Sequence, residues 1–176
     1  TLMEISKSYD MNVEQFFLAS LRSYQEIHNN YFEEYEELAE NFASNQKWIR
    51  IPPPTREELI EVLKKKYKCE VKIVDFSKNQ EFFEQRFVFL PGKKTQLLLN
   101  DKLDQSQHVY SIALQIAHYE LNIQKRVRTS PWKEFDSFDH VMESFKASYY
   151  AGALVINRFN IDQPQFPLKE CLSIAS

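Results

Sequence analysis

The chain reads as an α+β domain in which a small three-stranded sheet packs on a helical core, preceded by one long amphipathic helix. Three observations carry this reading. Apolar residues recur at helical spacing over residues 21–45, 55–68, 105–124 and 138–155. Short runs with strand character occupy residues 69–76, 86–90 and 96–100. Prolines, and the Pro91-Gly92 turn, separate these segments.

Residues 1–20 fit two short helices, an apolar one with Leu2, Met3 and Ile5, and a second with Phe16, Phe17 and Leu18. The turn between them falls at residues 10–12. Residues 21–45 place Tyr24, Ile27, Tyr31, Tyr35, Leu38 and Phe42 along one stripe, opposite the acidic residues Glu33, Glu34, Glu36 and Glu37. One long helix is expected there, its tyrosines serving packing or dimerisation more simply than ligand binding. Ile51-Pro52-Pro53-Pro54 cannot continue it, because proline lacks the amide donor and clashes with the preceding turn. Thr55 then opens a helix whose Glu58 completes a capping box, and Leu59, Ile60, Leu63 and Tyr67 give it an inner face as far as Lys68.

In residues 69–76 Val71, Ile73 and Val74 are set among Lys72 and Asp75, and the two later runs flank Pro91-Gly92-Lys93-Lys94. That predicts three strands, the last two a hairpin. Val109, Ile112, Ala113, Ile116, Ala117 and Leu121 make residues 105–124 a deeply buried helix. A loop with Pro131 and Trp132 leads to a last helix with Phe145, Tyr149, Ala153 and Leu154 facing inward, and Pro164 and Pro167 suggest an extended tail.

Composition narrows the function. The 176 residues suffice for one domain with a real core. A net charge of −3 and a pI near 5.9 do not suit a domain that grips nucleic acid itself, since neutralising phosphates needs a concentrated basic face. Cys69 and Cys171 form no CxxC pair, which fits a reducing, cytoplasmic setting. No apolar run approaches the ~18 residues of a membrane span, and there is no signal-peptide layout. The chain opens on Thr1 inside a helical pattern, so a preceding output module is expected.

Two stretches carry a family resemblance. LLLNDKLDQSQHVYSIALQIAHYELN resembles a strand ending in Asn, a short turn and the HExxH helix of the ImmA/IrrE metallopeptidase-like family, a zincin relative often fused behind an XRE-type helix-turn-helix. FKASYYAGALVI is similar to that family's later helix. The resemblance spans roughly residues 55–160. LMEISKSYDMNVEQFF is in turn similar to the last two helices of XRE-type domains, with a plain dimerisation arm as the alternative.

The resemblance implies a zincin-like minimal domain, with residues 1–20 the remnant of a helix-turn-helix domain and 21–54 a connecting or dimerising segment. Residues 55–160 would be the sensor and 161–176 a tail.

In HExxH, histidines four apart point to one zinc and the glutamate between them polarises bound water. The aligned residues here are Leu114, Gln115, Ile116, Ala117 and His118. Leucine cannot coordinate zinc, and glutamine has no carboxylate to accept a proton. The family's acidic ligand on the later helix falls near Glu143 and Lys146, and a lysine repels a cation. His108 and His118 lie about 15 Å apart along one helix and cannot share a metal. His140 approaching His118 is a remote alternative.

The expectation is therefore a pseudoenzyme with no catalytic residue, metal or cofactor. Its ligand-binding groove would be formed by Gln115, His118 and Tyr119 against Glu143, Lys146, Ala147 and Tyr150. The plainer readings are a hydrogen-bonded core histidine at 118 and a solvent-facing charge at 146. Regulators that resemble short-chain acyl-coenzyme A sensors suggest a small-molecule or peptide effector, a homodimer, and DNA contact only through the preceding module.

Two other functions compete with this one. An active metallopeptidase would use His118, Glu143 and His140, whereas a structural oligomerisation module would fill the groove with its own side chains. Fourteen Phe and nine Tyr against two Gly leave the latter open.

Overall fold

The computed structural model describes residues 13–48, 54–78, 82–123, 129–130 and 137–156. In chain order these form α1 (Val13–Ile27), α2 (Glu33–Asn45), α3 (Arg56–Tyr67), β1 (Cys69–Val74), a 3₁₀ turn (Phe76–Lys78), β2 (Phe87–Leu90), β3 (Thr95–Asn100), α4 (Gln105–Glu120), β4 (Thr129–Ser130) and α5 (Phe138–Ile156).

The architecture is α+β, as the sequence predicts, with the three expected strands joined by a two-residue fourth. Strand order is β1-β3-β2-β4. β1 runs parallel to β3, while β2 is antiparallel to both β3 and β4. The hairpin register sets Phe87 opposite Leu99 and Phe89 opposite Leu97, so all four share one face. That face joins Cys69, Leu59, Leu63, Ile112 and Ile116 in the core.

Two capping boxes open helices, and the sequence predicts the first of them. Thr55 and Glu58 close the box at the start of α3, and Asp104 and Gln107 do the same for α4. Each satisfies backbone amides that the first helical turn leaves without partners. α3 ends on Lys68 in the left-handed conformation (φ 55°), its N–H returning to the Leu63 carbonyl.

The front of the molecule differs from expectation. The single helix over residues 21–45 is two helices, broken at residues 28–32. Asn29 and Asn30 both adopt positive φ, 53° and 56°, a conformation that asparagine tolerates better than most residues. The stripe of aromatics continues across this break, which is why periodicity alone does not reveal it. The segment around Phe16 to Leu18 is not a separate short helix but the first part of α1, so residue 20, the expected boundary, lies within a continuous helix. α4 stops at Glu120 rather than 124, and β1 at Val74 rather than 76. The expected helix before residue 10, most of the Pro-rich boundary, the Pro131-Trp132 loop and the tail lie outside the described residues.

α5 organises the helical layer. α4 packs along it, α2 packs along it as well, and α1 makes a lighter contact. α1 buries none of its residues, although Phe17 reaches Phe138 of α5 at 6.1 Å between ring centroids. The α2 contact is aromatic. Phe32 lies 4.9 Å from Phe145 and 5.1 Å from Tyr149, and Tyr35 lies 6.1 Å from Tyr149, in the edge-on or tilted arrangements that ring quadrupoles favour.

Candidate functional site

The expected groove lies where α4 meets α5. α4 is buried on most of its circumference, from His108 to His118, because it touches the core, α3 and α5. Gln115 on α4 and Tyr150 on α5 are both 0 % exposed. Ala147, one turn before Tyr150, is also fully buried. The groove is closed rather than open, since Gln115, Ala147 and Tyr150 are all fully buried.

Its polar groups are unusual. Among the described residues neither the Gln115 amide oxygen nor its nitrogen has a hydrogen-bond partner, and the Tyr150 hydroxyl has none. A buried, unmade hydrogen bond costs about 1–3 kcal/mol, so three such atoms are a substantial liability for a small domain. Burial raises the Tyr150 phenol well above its ordinary pKa, and the carboxylate of Glu120, on α4, raises it further.

The other predicted residues divide into two groups. His118 is buried, with Nδ1 2.6 Å from the Leu114 carbonyl, so Nδ1 carries the proton as donor. Glu143 and Lys146 are half-buried on α5. Tyr119 instead stacks on Tyr67 of α3, with centroids 4.4 Å apart and rings 12° from parallel. Tyr67 is tied to Glu120 by a hydroxyl–carboxylate hydrogen bond, and Lys66 pairs with the same carboxylate at 2.7 Å. Burial, then that bond, raises the Tyr67 phenol far above its usual range. The Tyr67–Tyr119–Glu120 group thus fastens the end of α3 to the end of α4.

Among the described residues, no three His, Cys, Asp or Glu side chains come together as a metal site. The alternative set of His118, Glu143 and His140 is therefore not assembled. His108 is engaged elsewhere, with Nε2 2.8 Å from the carbonyl of Asn100 at the end of β3. No helix among the described residues is long and apolar enough to cross a membrane.

With this geometry in hand, the comparisons bear on fold. No family model matches the chain, and no curated protein matches it. A solved structure described as a Mycobacterium tuberculosis transcriptional regulator superposes with a TM-score of 0.60 at 17% sequence identity. The match covers 80% of this chain and 41% of that one, so the chain spans well under half of the regulator's length. The likeness is one of fold.

Sequence reasoning did not single out a surface cavity of about 300 Å³ between the end of α2 and α3, bordered by Gln46, Trp48, Glu58, Glu61, Lys65 and Lys66. Its charges are already committed. Glu58 belongs to the capping box, Lys65 pairs with Glu61, and Lys66 pairs with Glu120. None of these residues belongs to α4 or α5, and none offers a buried group in need of a ligand.

Proposed function

We propose that this chain is the effector-sensing part of a bacterial transcription regulator, built on a metallopeptidase-like scaffold that no longer catalyses. One observation carries the reading: Gln115, at the position of the peptidase's general base, is a fully buried amide whose oxygen and nitrogen are both left without a partner among the described residues. A core position under no other demand would be apolar, since a buried amide of this kind lowers stability. An amide offers one acceptor and two donors to a neutral polar ligand group, and Tyr150 adds a hydroxyl. The resemblance to the ImmA/IrrE family and the fold likeness to a regulator support the same reading.

The effector is a small molecule of the acyl-coenzyme A kind or a peptide. Because the site is closed, the effector must part α4 from α5. α5 also carries α2, through Phe32, Tyr35 and Tyr149, so displacement of α5 is passed to α2 and α1 and on to a DNA-binding module preceding them. This is a switch between two packings of one helix. The module would supply all contact with DNA, and the regulator would work in the cytoplasm as a homodimer.

Native mass spectrometry of the purified chain tests the proposal. A retained small molecule, lost in Gln115→Leu, supports it. Stoichiometric zinc together with peptidase activity would instead establish the enzyme reading. One observation favours a structural module: Gln115, Ala147 and Tyr150 are already fully buried in the chain without any ligand. That reading predicts a bare mass and no thermal shift with any acyl-coenzyme A.

A further inference from the structure

β1 is an edge strand. The sheet order leaves one side of it open among the described residues, and that side carries no proline or bulge of the kind that protects natural edges. The Val74 carbonyl accepts from the Asp101 N–H at 3.1 Å, so Val74 points toward β3. The N–H and C=O of one residue lie on the same side of a strand and alternate along it. Glu70 and Lys72 therefore also bond toward β3, while Val71 and Ile73 direct their N–H and C=O outward.

We infer that a second copy of this chain adds to β1 in antiparallel fashion, about a two-fold axis at Val71, making one sheet continuous across the dimer. In this register the two Val71 residues exchange both backbone hydrogen bonds. Glu70 of each copy then falls opposite Lys72 of the other, at the closer, non-hydrogen-bonded type of pair. Two opposite-charge pairs form on the outer face, each the kind of cross-strand contact that stabilises a ladder.

Other two-fold registers are poorer. An axis at Lys72 sets lysine against lysine, one at Glu70 sets glutamate against glutamate, and one at Ile73 pairs Lys72 with Val74. The strand is thus self-complementary in charge and in hydrogen bonding at the same point, as an isologous interface requires. Ile73 supports the placement, because it is 46% exposed although it lies on the face of the sheet that elsewhere forms the core. Within one copy Glu70 meets Lys72 at 3.6 Å and accepts from Gln96 at 3.1 Å. Those exposed contacts are weak and can be exchanged. The inference does not depend on the effector reading.

The test is sedimentation velocity of the whole 176-residue chain across a concentration series. The wild type is expected to dimerise. Glu70→Lys and Lys72→Glu, each of which turns both pairs repulsive, should weaken the dimer about tenfold or more. The double exchange, Glu70→Lys with Lys72→Glu, should restore it. Val71→Pro removes an outward N–H that β3 does not use, so it should abolish the dimer while circular dichroism stays native. A wild type that is monomeric throughout overturns the inference, as do single exchanges that leave the dimer unchanged.

Discussion

Tyr149 and Tyr150 are neighbours on one helix with opposite circumstances, and they mark the two sides of α5. The Tyr149 hydroxyl accepts from the Phe32 N–H at 3.1 Å and donates to Glu36 at 2.9 Å, capping the start of α2 from another helix. The Tyr150 hydroxyl is more deeply buried and has no partner among the described residues. On the α2 side the polar chemistry is complete and the aromatic rings interlock. On the α4 side apolar packing is tight, but the Gln115 amide and the Tyr150 phenol have no hydrogen-bond partner among the described residues. The first contact has what a permanent joint needs, and the second is the one that the proposed function makes exchangeable.

Several substitutions would break or sharpen this contrast. The largest loss is expected for Phe32→Ala, which empties the ring cluster between α2 and α5 and should cost about 3–5 kcal/mol in urea unfolding. Gln115→Glu should cost about 3 kcal/mol or more at neutral pH, because it buries a carboxylate without a partner, and should not create peptidase activity. Tyr149→Phe removes both partnered bonds and should cost about 1–2 kcal/mol. Tyr150→Phe, in protein free of ligand, should be neutral or slightly stabilising by the same assay. Equal losses for the two Tyr→Phe variants would erase the distinction between the two sides.

A further effect is alkaline. Burial, with help from Glu34, raises the Tyr35 phenol to about 12 from an ordinary 10.0. The folded state therefore favours the neutral phenol. Its contribution is fully present below pH 10 and is lost as pH rises from there toward 12. Urea midpoints should be flat in mildly alkaline solution and then fall, whereas Tyr35→Phe should flatten the fall.

Much of the fold is legible in the sequence because local chemistry and tertiary packing agree. Thr55 with Glu58, the Pro91-Gly92 turn, and the broad apolar face around Ile112 and Ile116 each specify one element and little else. The break between α1 and α2 was hidden because Tyr24, Tyr31 and Tyr35 keep helical spacing through it, while its cause is two asparagines that a helix also accepts. The candidate site was singled out through a resemblance of Leu114, Gln115 and His118 to a metal-binding motif. What sequence could not convey was closure: that Gln115 and Tyr150 are both fully buried depends on how closely α4 and α5 pack, which no local pattern sets. Tyr119 shows the same limit. It occupies the expected helix, but Tyr67 draws its ring into a stack that only the approach of α3 creates.

The most direct test of the central claim is the unfolding free energy of Gln115→Leu against wild type, with both proteins refolded from denaturant to remove any retained ligand. If the amide is held in reserve for an effector, the leucine variant will be at least as stable as the wild type and will no longer recover a bound mass. A loss of stability of the size of a broken hydrogen bond, about 1–3 kcal/mol, would mean that the amide is already satisfied within the fold and that no ligand is needed to explain it.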